Sequence, residues 1–347
     1  MDVFDLLQAN YLQGYWNTNP QYTAPYLGDM LFPAQKQLSD NVRYITGQDS
    51  LPATLNAVTP GAKAIPIERN GLNTQYAQAL RFKNSMIVNE NDVDQLRQAQ
   101  ATNDPNLFAE ILNHIYQDQA KLGVRAHYTR EKLIMQALTT GKLLFQDNGV
   151  YSAVDYGLDS TQFQKASTAW STTGSADPYK DIDKLVNTAA QTHGVSLTRA
   201  IMNRTTFNNL VANTKLRASL LQPNQSQGIL LASTVEQFFA AQFGISILIY
   251  DKGDNSTGSF TKFIPDGKVI FLSGAASDPV GNMVFVPTAE EREQSALDGQ
   301  VAIVDTGVAF HTYTSPDPVG LTTKVSQFVV PVLTAAQTIY VLTTEGV

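Results

Sequence analysis

Four histidines, His114, His127, His193 and His311, are the first residues to weigh for proton transfer or metal binding. None stands at ligand spacing from another histidine or from a carboxylate in a recognisable motif. His114 and His127 fall at unrelated angles on one helical stretch, so each of the four reads as a core or surface side chain. The run Glu290-Glu291-Arg292-Glu293 has two readings. It is either a carboxylate set for a cation or for catalysis, or the start of a helix in which Thr288 and Glu291 form a capping box. The threonine at that spacing favours the second. Asp251 and Asp254 lie in a Gly-, Asn- and Ser-rich loop, where a loose cation site and a solvated hairpin loop are both open and the loop is preferred. The chain has no G-x-S-x-G elbow and no Gly-rich phosphate loop ending in Lys-Ser/Thr. With 0 cysteines, thiolate nucleophiles, disulfides, zinc ribbons and iron–sulfur sites are excluded. A chain of 347 residues without a catalytic constellation predicts a structural protein, not an enzyme, with no metal and no cofactor.

Composition narrows the role further. Hydrophobic residues make up 43% of the chain, enough for a sizeable core in one large or two ordinary domains. Lys and Arg total 24 against 31 Asp and Glu, a net charge of -7. That balance argues against a dedicated nucleic-acid binder, because neutralising phosphates takes a basic surface. Charged residues are only 16%, below the roughly 25% of an average soluble domain, and Asn, Gln, Thr and Ser take their place. Such a surface repels its own copies weakly and suits self-packing, although it suits an ordinary neutral surface equally well. The first basic residue is Lys36, so no secretory signal is expected, and no apolar run reaches membrane-spanning length.

The elements that must position any site read in order. Residues 1–36 form an arm with an amphipathic start (Val3, Phe4, Leu6, Leu7) and then aromatics spaced by prolines. The prolines forbid a long helix. The aromatics ask for burial, so the arm is expected to be extended and to lie on another surface, or to strap its own domain. Residues 37–90 read as a long hairpin, with a strand at Val42–Ile45 and further strands flanking Asn70-Gly71. A hairpin cannot bury two faces alone. Asp92 opens a short helix. Asp104-Pro105 then starts a long one, with apolar i,i+4 rows through Leu107, Ile111 and Ile115 and on to Leu138. Gly123 is where it would bend. Paired strands flank Asp147-Asn148-Gly149. Residues 178–310 alternate helix and strand, with helices ending at Gly194 and Gly244 and a hairpin turning at Pro265-Asp266-Gly267. The tail is β again. The class is α+β.

This order of elements resembles the Hong Kong 97-type fold of tailed-phage major capsid proteins. Short segments carry the likeness to the lambda-type major capsid protein E family. Thr129-Arg130-Glu131-Lys132-Leu133-Ile134-Met135-Gln136-Ala137-Leu138-Thr139-Thr140-Gly141 is similar to the end of its spine helix. Val154-Asp155-Tyr156-Gly157 resembles the strand that follows. Phe263 to Leu272 resembles the apical hairpin, and Phe285-Val286-Pro287-Thr288-Ala289-Glu290-Glu291 the segment after it, with Phe285-Val286 where the family more often has Tyr-Gly.

The resemblance spans about Leu31 to Val332 and implies five parts. They are an N-terminal arm (1–36), an extended hairpin or E-loop (37–90), a peripheral domain with the spine helix (91–177), an apical α/β domain (178–310), and a β return to the peripheral domain (311–347). It implies an icosahedral shell of pentamers and hexamers around double-stranded DNA contacted non-specifically. Assembly in the host cytoplasm with a scaffolding protein and portal, and no membrane, goes with it. Tyr15, Trp16 and Tyr26 on the arm, with Arg69 and Arg81 on the hairpin, are the candidate subunit-interface residues. Some relatives cross-link a hairpin lysine to an asparagine; Lys63 has no matching partners here, so non-covalent contacts or a decoration protein are expected instead. An encapsulin-type compartment shares the fold, but the arm does not resemble a cargo-docking helix. A carbohydrate- or protein-binding module would need an aromatic platform in the α/β half.

Overall fold

A computed structural model describes residues 3–23, 25–46, 63, 73–147, 149–221, 230–255, 258–276, 278–316 and 319–345. In chain order the arm gives helices α1 (Val3–Leu6), α2 (Ala9–Thr18), α3 (Pro20–Thr23) and α4 (Leu27–Leu31), then strand β1 (Ala34–Lys36). Strands β2 (Asn41–Thr46), β3 (Asn73–Gln78) and β4 (Leu80–Val88) follow, then α5 (Glu90–Ala101) and α6 (Pro105–Thr140). The hairpin β5 (Lys142–Asp147) and β6 (Val150–Asp155) leads to β7 (Phe163–Lys165), α7 (Pro178–His193), β8 (Leu197–Met202), α8 (Arg204–Ala212), α9 (Thr214–Leu220) and α10 (Ala232–Phe243). Next are β9 (Ser246–Ile249), β10 (Gly253–Asp254), β11 (Thr261–Lys262), β12 (Lys268–Ser273) and β13 (Gly281–Val286). The chain closes with α11 (Ala289–Arg292), β14 (Gln300–Asp305), β15 (Val308–Pro316), β16 (Val319–Leu333) and β17 (Ile339–Thr343).

The chain divides into two compact units. The first comprises residues 1–42, 77–133 and 282–332; the second comprises 43–76, 134–281 and 333–347. Unit 1 is built on a six-stranded sheet in the order β1-β13-β16-β15-β14, with β4 also pairing β16. Val3, Leu7 and Leu12 of the arm join Leu96, Ile115 and Phe310 in its core. Unit 2 centres on a five-stranded sheet, β7-β17-β12-β8-β9, whose middle strands pair antiparallel while β7 and β9 run parallel to their neighbours. Its core holds Trp170, Leu185, Phe207, Phe239, Phe271 and Tyr340.

Local chemistry sets the helix ends. The Asp104 carboxylate accepts from the backbone of Asn106 and Leu107, and Pro105 takes the first helical position, where a missing N–H costs nothing. α6 then runs unbroken for 36 residues, the first 29 in unit 1 and the last seven in unit 2. Gly123 does not interrupt it. A β-carbon there would stand 2.6 Å from Cη2 of Trp16, so the glycine opens a slot for that ring. In unit 2, Asp177 caps α7 and Gly194 ends it at φ 68°, a left-handed turn that glycine adopts without a Cβ clash.

Several expectations are corrected. The arm is helical, and α2 is long enough to bury Ala9, Leu12 and Trp16 on one face in its own unit. The hairpin expected to turn at Pro265-Asp266-Gly267 does not form. β12 pairs β8 and β17 over five residues each, which fills both of its hydrogen-bonding edges, while the two-residue β11 pairs β10. The apical domain expected over 178–310 ends earlier, since residues 282–310 supply strands to the unit 1 sheet. The tail expected to return wholly to the peripheral domain parts at Leu333, and β17 enters the unit 2 sheet. β2 pairs β3; the strand expected at 64–69 lies outside the described residues.

Candidate functional site

Trp16, Tyr15 and Tyr26 all lie against unit 1, but to different depths. Trp16 is 2% exposed. Its ring stacks on Tyr22 at 5.2 Å and packs near His127 (5.7 Å) and Phe310 (6.3 Å), over Gly123. It is therefore a core residue of its own subunit, which corrects the expectation that its side chain meets a neighbour. Tyr15 is half-buried between Tyr22 and Tyr116. Tyr26 is half-buried edge-on to Tyr128, and burial pushes its hydroxyl up to about 12. Arg81 is exposed over the Phe328 ring at 5.0 Å and ion-pairs with Asp40, which Arg292 also approaches at 3.3 Å. Arg69 lies outside the described residues.

Below the arm is a buried charged centre that sequence reading missed. Arg130, its side chain 3% exposed, donates from Nη2 to Asp305 at 2.9 Å and to Nδ1 of His127 at 2.8 Å, with Asp29 at 3.6 Å. The neighbouring Glu131 is buried and accepts the Gly28 N–H on both oxygens, at 3.0 and 3.2 Å. Burial alone would raise the Asp29 carboxyl, but the neighbouring His127 ring, 3.9 Å away, and the charge of Arg130 bring it below the ordinary carboxylate value. A cavity of about 230 Å³ opens beside this centre, walled by Trp16, Phe32, His127, Arg130, Phe285 and Asp305. The centre ties the arm to α6 and β14.

A second buried charge is Glu290, 2% exposed. Lys83 on β4 and Lys324 on β16 each reach one of its oxygens at 2.8 Å, and the Ser326 hydroxyl donates to the other at 2.8 Å. Burial opposes ionisation, yet the hydrogen bonds from Lys324 and Lys83 hold this carboxyl well below the usual range. Thr288 caps α11 by accepting the Glu291 N–H at 3.2 Å, as its spacing implied. Nothing local in the sequence marks Glu290 as a buried ion, because its partners lie 207 and 34 residues away. The other histidines take structural places: His114 is exposed beside Asp118, His193 accepts from or donates to Tyr340 at 2.6 Å, and His311 meets the Asp298 carbonyl at 2.7 Å. Among the described residues, no three His, Asp or Glu side chains are grouped to hold a metal ion. Among them, too, no helix is long and apolar enough to cross a membrane.

An arm strapped on a sheet, one long helix shared by two units and a second α/β unit define a class, the Hong Kong 97-type capsid fold. The structure is similar to a protein assigned to the capsid of an E. coli CFT073 prophage, with 14% identity, a TM-score of 0.63, and 97% of this chain and 99% of that chain covered. It is similar also to a phage-related protein from Bordetella bronchiseptica RB50, with 13% identity, a TM-score of 0.56 and 98% of each chain covered. The sequence matches the family described as phage major capsid protein E over residues 8–344, and the chain belongs to that family. It is a phage capsid shell protein. No curated protein matches it in sequence.

Proposed function

We propose that this capsid protein is the repeating subunit of the icosahedral head of a tailed phage. It assembles through pentamers and hexamers in the host cytoplasm, and the shell encloses double-stranded DNA. The observation that carries this reading is the family correspondence over residues 8–344, which takes in the arm, the long helix and both units. In this reading the role is structural and no catalysis is involved. A separate scaffolding protein and a portal guide assembly, and non-covalent contacts or a decoration protein hold the mature shell.

Residues 37–90 serve as the extended hairpin that reaches a neighbouring subunit, and Tyr15, Tyr26, Arg69 and Arg81 supply contacts between copies. The charge distribution supports weak, non-specific contact with DNA. Unit 1 carries ten Lys and Arg against seventeen Asp and Glu, while unit 2 carries fourteen of each. Many weak, repeated contacts then close the shell.

The test is negative-stain microscopy of the purified chain, alone and co-expressed with the phage's other head proteins. Closed shells with five-fold and six-fold clusters are expected. Subunits that stay monomeric under every condition would exclude the reading. Arg81→Glu tests the hairpin contact: shell yield is expected to fall more than thermal stability, and equal losses would restrict Arg81 to the fold.

A further inference from the structure

Among the described residues, β14 is an outer strand of the unit 1 sheet, paired on one side, with β15. Its sequence, Gln300-Val301-Ala302-Ile303-Val304-Asp305, is a β-branched apolar run with a single charge at its end. An open strand of that composition is a template for pairing with another chain, and a shell protein meets its own copies at high local concentration.

The structure covers this edge with the arm. The Gln13 side-chain amide on α2 donates to the Ile303 carbonyl, and the Gln294 amide donates to the Val301 carbonyl at 3.2 Å. In an antiparallel strand, alternate residues turn both N–H and C=O to the same side. Val301 and Ile303 therefore turn their carbonyls to one side of the strand, and there the Gln294 and Gln13 side chains occupy acceptors that a second strand would need. α2 is itself pinned. Its first N–H donates from Ala9 to the Thr312 hydroxyl at 3.0 Å, and Trp16 fills the Gly123 slot.

We infer that α2 is an edge guard. Docked on its own subunit, it blocks isologous strand pairing between β14 and β14 of a second copy, so copies meet only through other surfaces. The inference goes beyond shell formation: it assigns the arm a role in preventing one contact, separate from any contact the arm makes.

The test uses the full-length chain below the concentration at which the parent forms shells. Gln13→Ala with Trp16→Ala frees the edge. The double variant is expected to pellet several-fold more than the parent, as β-rich material without closed shells. Because the chain has 0 native cysteines, Ile303→Cys reports the contact directly. A short bismaleimide should join 303 to 303 between copies in the double-variant background and leave the parent background uncoupled. Ile303→Pro removes an outward donor on an edge strand, where proline is tolerated, and should return the double variant to solution. A double variant that stays as soluble as the parent would overturn the inference. So would aggregation without cross-links at 303, whatever the effect of the proline.

Discussion

The two units bury polar side chains for different purposes. In unit 2 most of these groups bond to backbone, some of it close by in sequence and some far away, as with Gln162 on Ile339 and Arg199 on Ser273. Asn203 caps α8 through the Thr206 N–H at 2.9 Å, Asn213 caps α9 through Lys215 and Leu216 at 3.1 Å, and Asp181 accepts from Ser167 and Trp170. In unit 1 they join segments far apart in sequence. Glu131 holds the arm at Gly28, Arg130 reaches Asp305, Gln119 donates to Thr323, and Glu290 gathers two lysines from different strands. Unit 1 also carries the whole net charge of the chain. A unit assembled from three separate stretches of chain needs ties between them, and buried ionic contacts supply geometric specificity at the cost of desolvation. Unit 2 is also built from three stretches, but one of them, 134–281, supplies most of it, and an apolar core with capped helices around it holds it together.

This contrast can be broken at several points. The largest effect is expected at Trp16→Ala. Emptying the slot over Gly123 should cost about 3–5 kcal/mol of subunit stability, read by chemical denaturation. A loss below about 1 kcal/mol would mean that the arm contributes little to unit 1. Glu290→Gln comes next. It leaves Lys83 and Lys324 without their shared anion and should cost about 3 kcal/mol, toward the low end for a broken buried pair because both lysines keep some solvent.

Acid should act on the same group. The Glu290 carboxyl is depressed in the folded state relative to its ordinary value of 4.5. Its contribution is therefore fully present above that value and is lost as pH falls toward the folded one. Between pH 7 and pH 3 this loss amounts to roughly 2 kcal/mol, and Glu290→Gln should remove that part of the acid sensitivity when denaturation is followed at both values. The smallest effect of a substitution is expected in unit 2. Asn213→Ala should cost about 2 kcal/mol, the upper end for a helix N-cap because its amide also donates to the Thr173 and Ala176 carbonyls, and should leave acid sensitivity unchanged.

What could be read from sequence divides by the range of the contact, not by unit. The start of α6 at Asp104-Pro105, the stops at Gly194 and Gly244 and the cap at Thr288 are written in neighbouring residues, so local rules find them. The role of Gly123 was missed because its reason is Trp16, more than a hundred residues earlier. The arm was read as extended because its prolines exclude a long helix, yet ten residues without proline are enough for α2. The pairing of β12 could not be told from its turn residues. A Pro-Asp-Gly turn permits a hairpin, but β8 and β17 each offer β12 a five-residue ladder, against the two residues of β11. The buried Arg130, Glu131 and Glu290 look like surface charges in sequence, since only the fold brings their partners together.

Hydrogen exchange of the unassembled subunit, parent against Glu290→Gln at neutral pH, tests most directly whether long-range ionic ties hold unit 1 while unit 2 stands on its own core. The expected result is faster exchange confined to β4, β15 and β16, with β8, β12 and β17 protected as in the parent. Equal loss of protection in both sets of strands would contradict it.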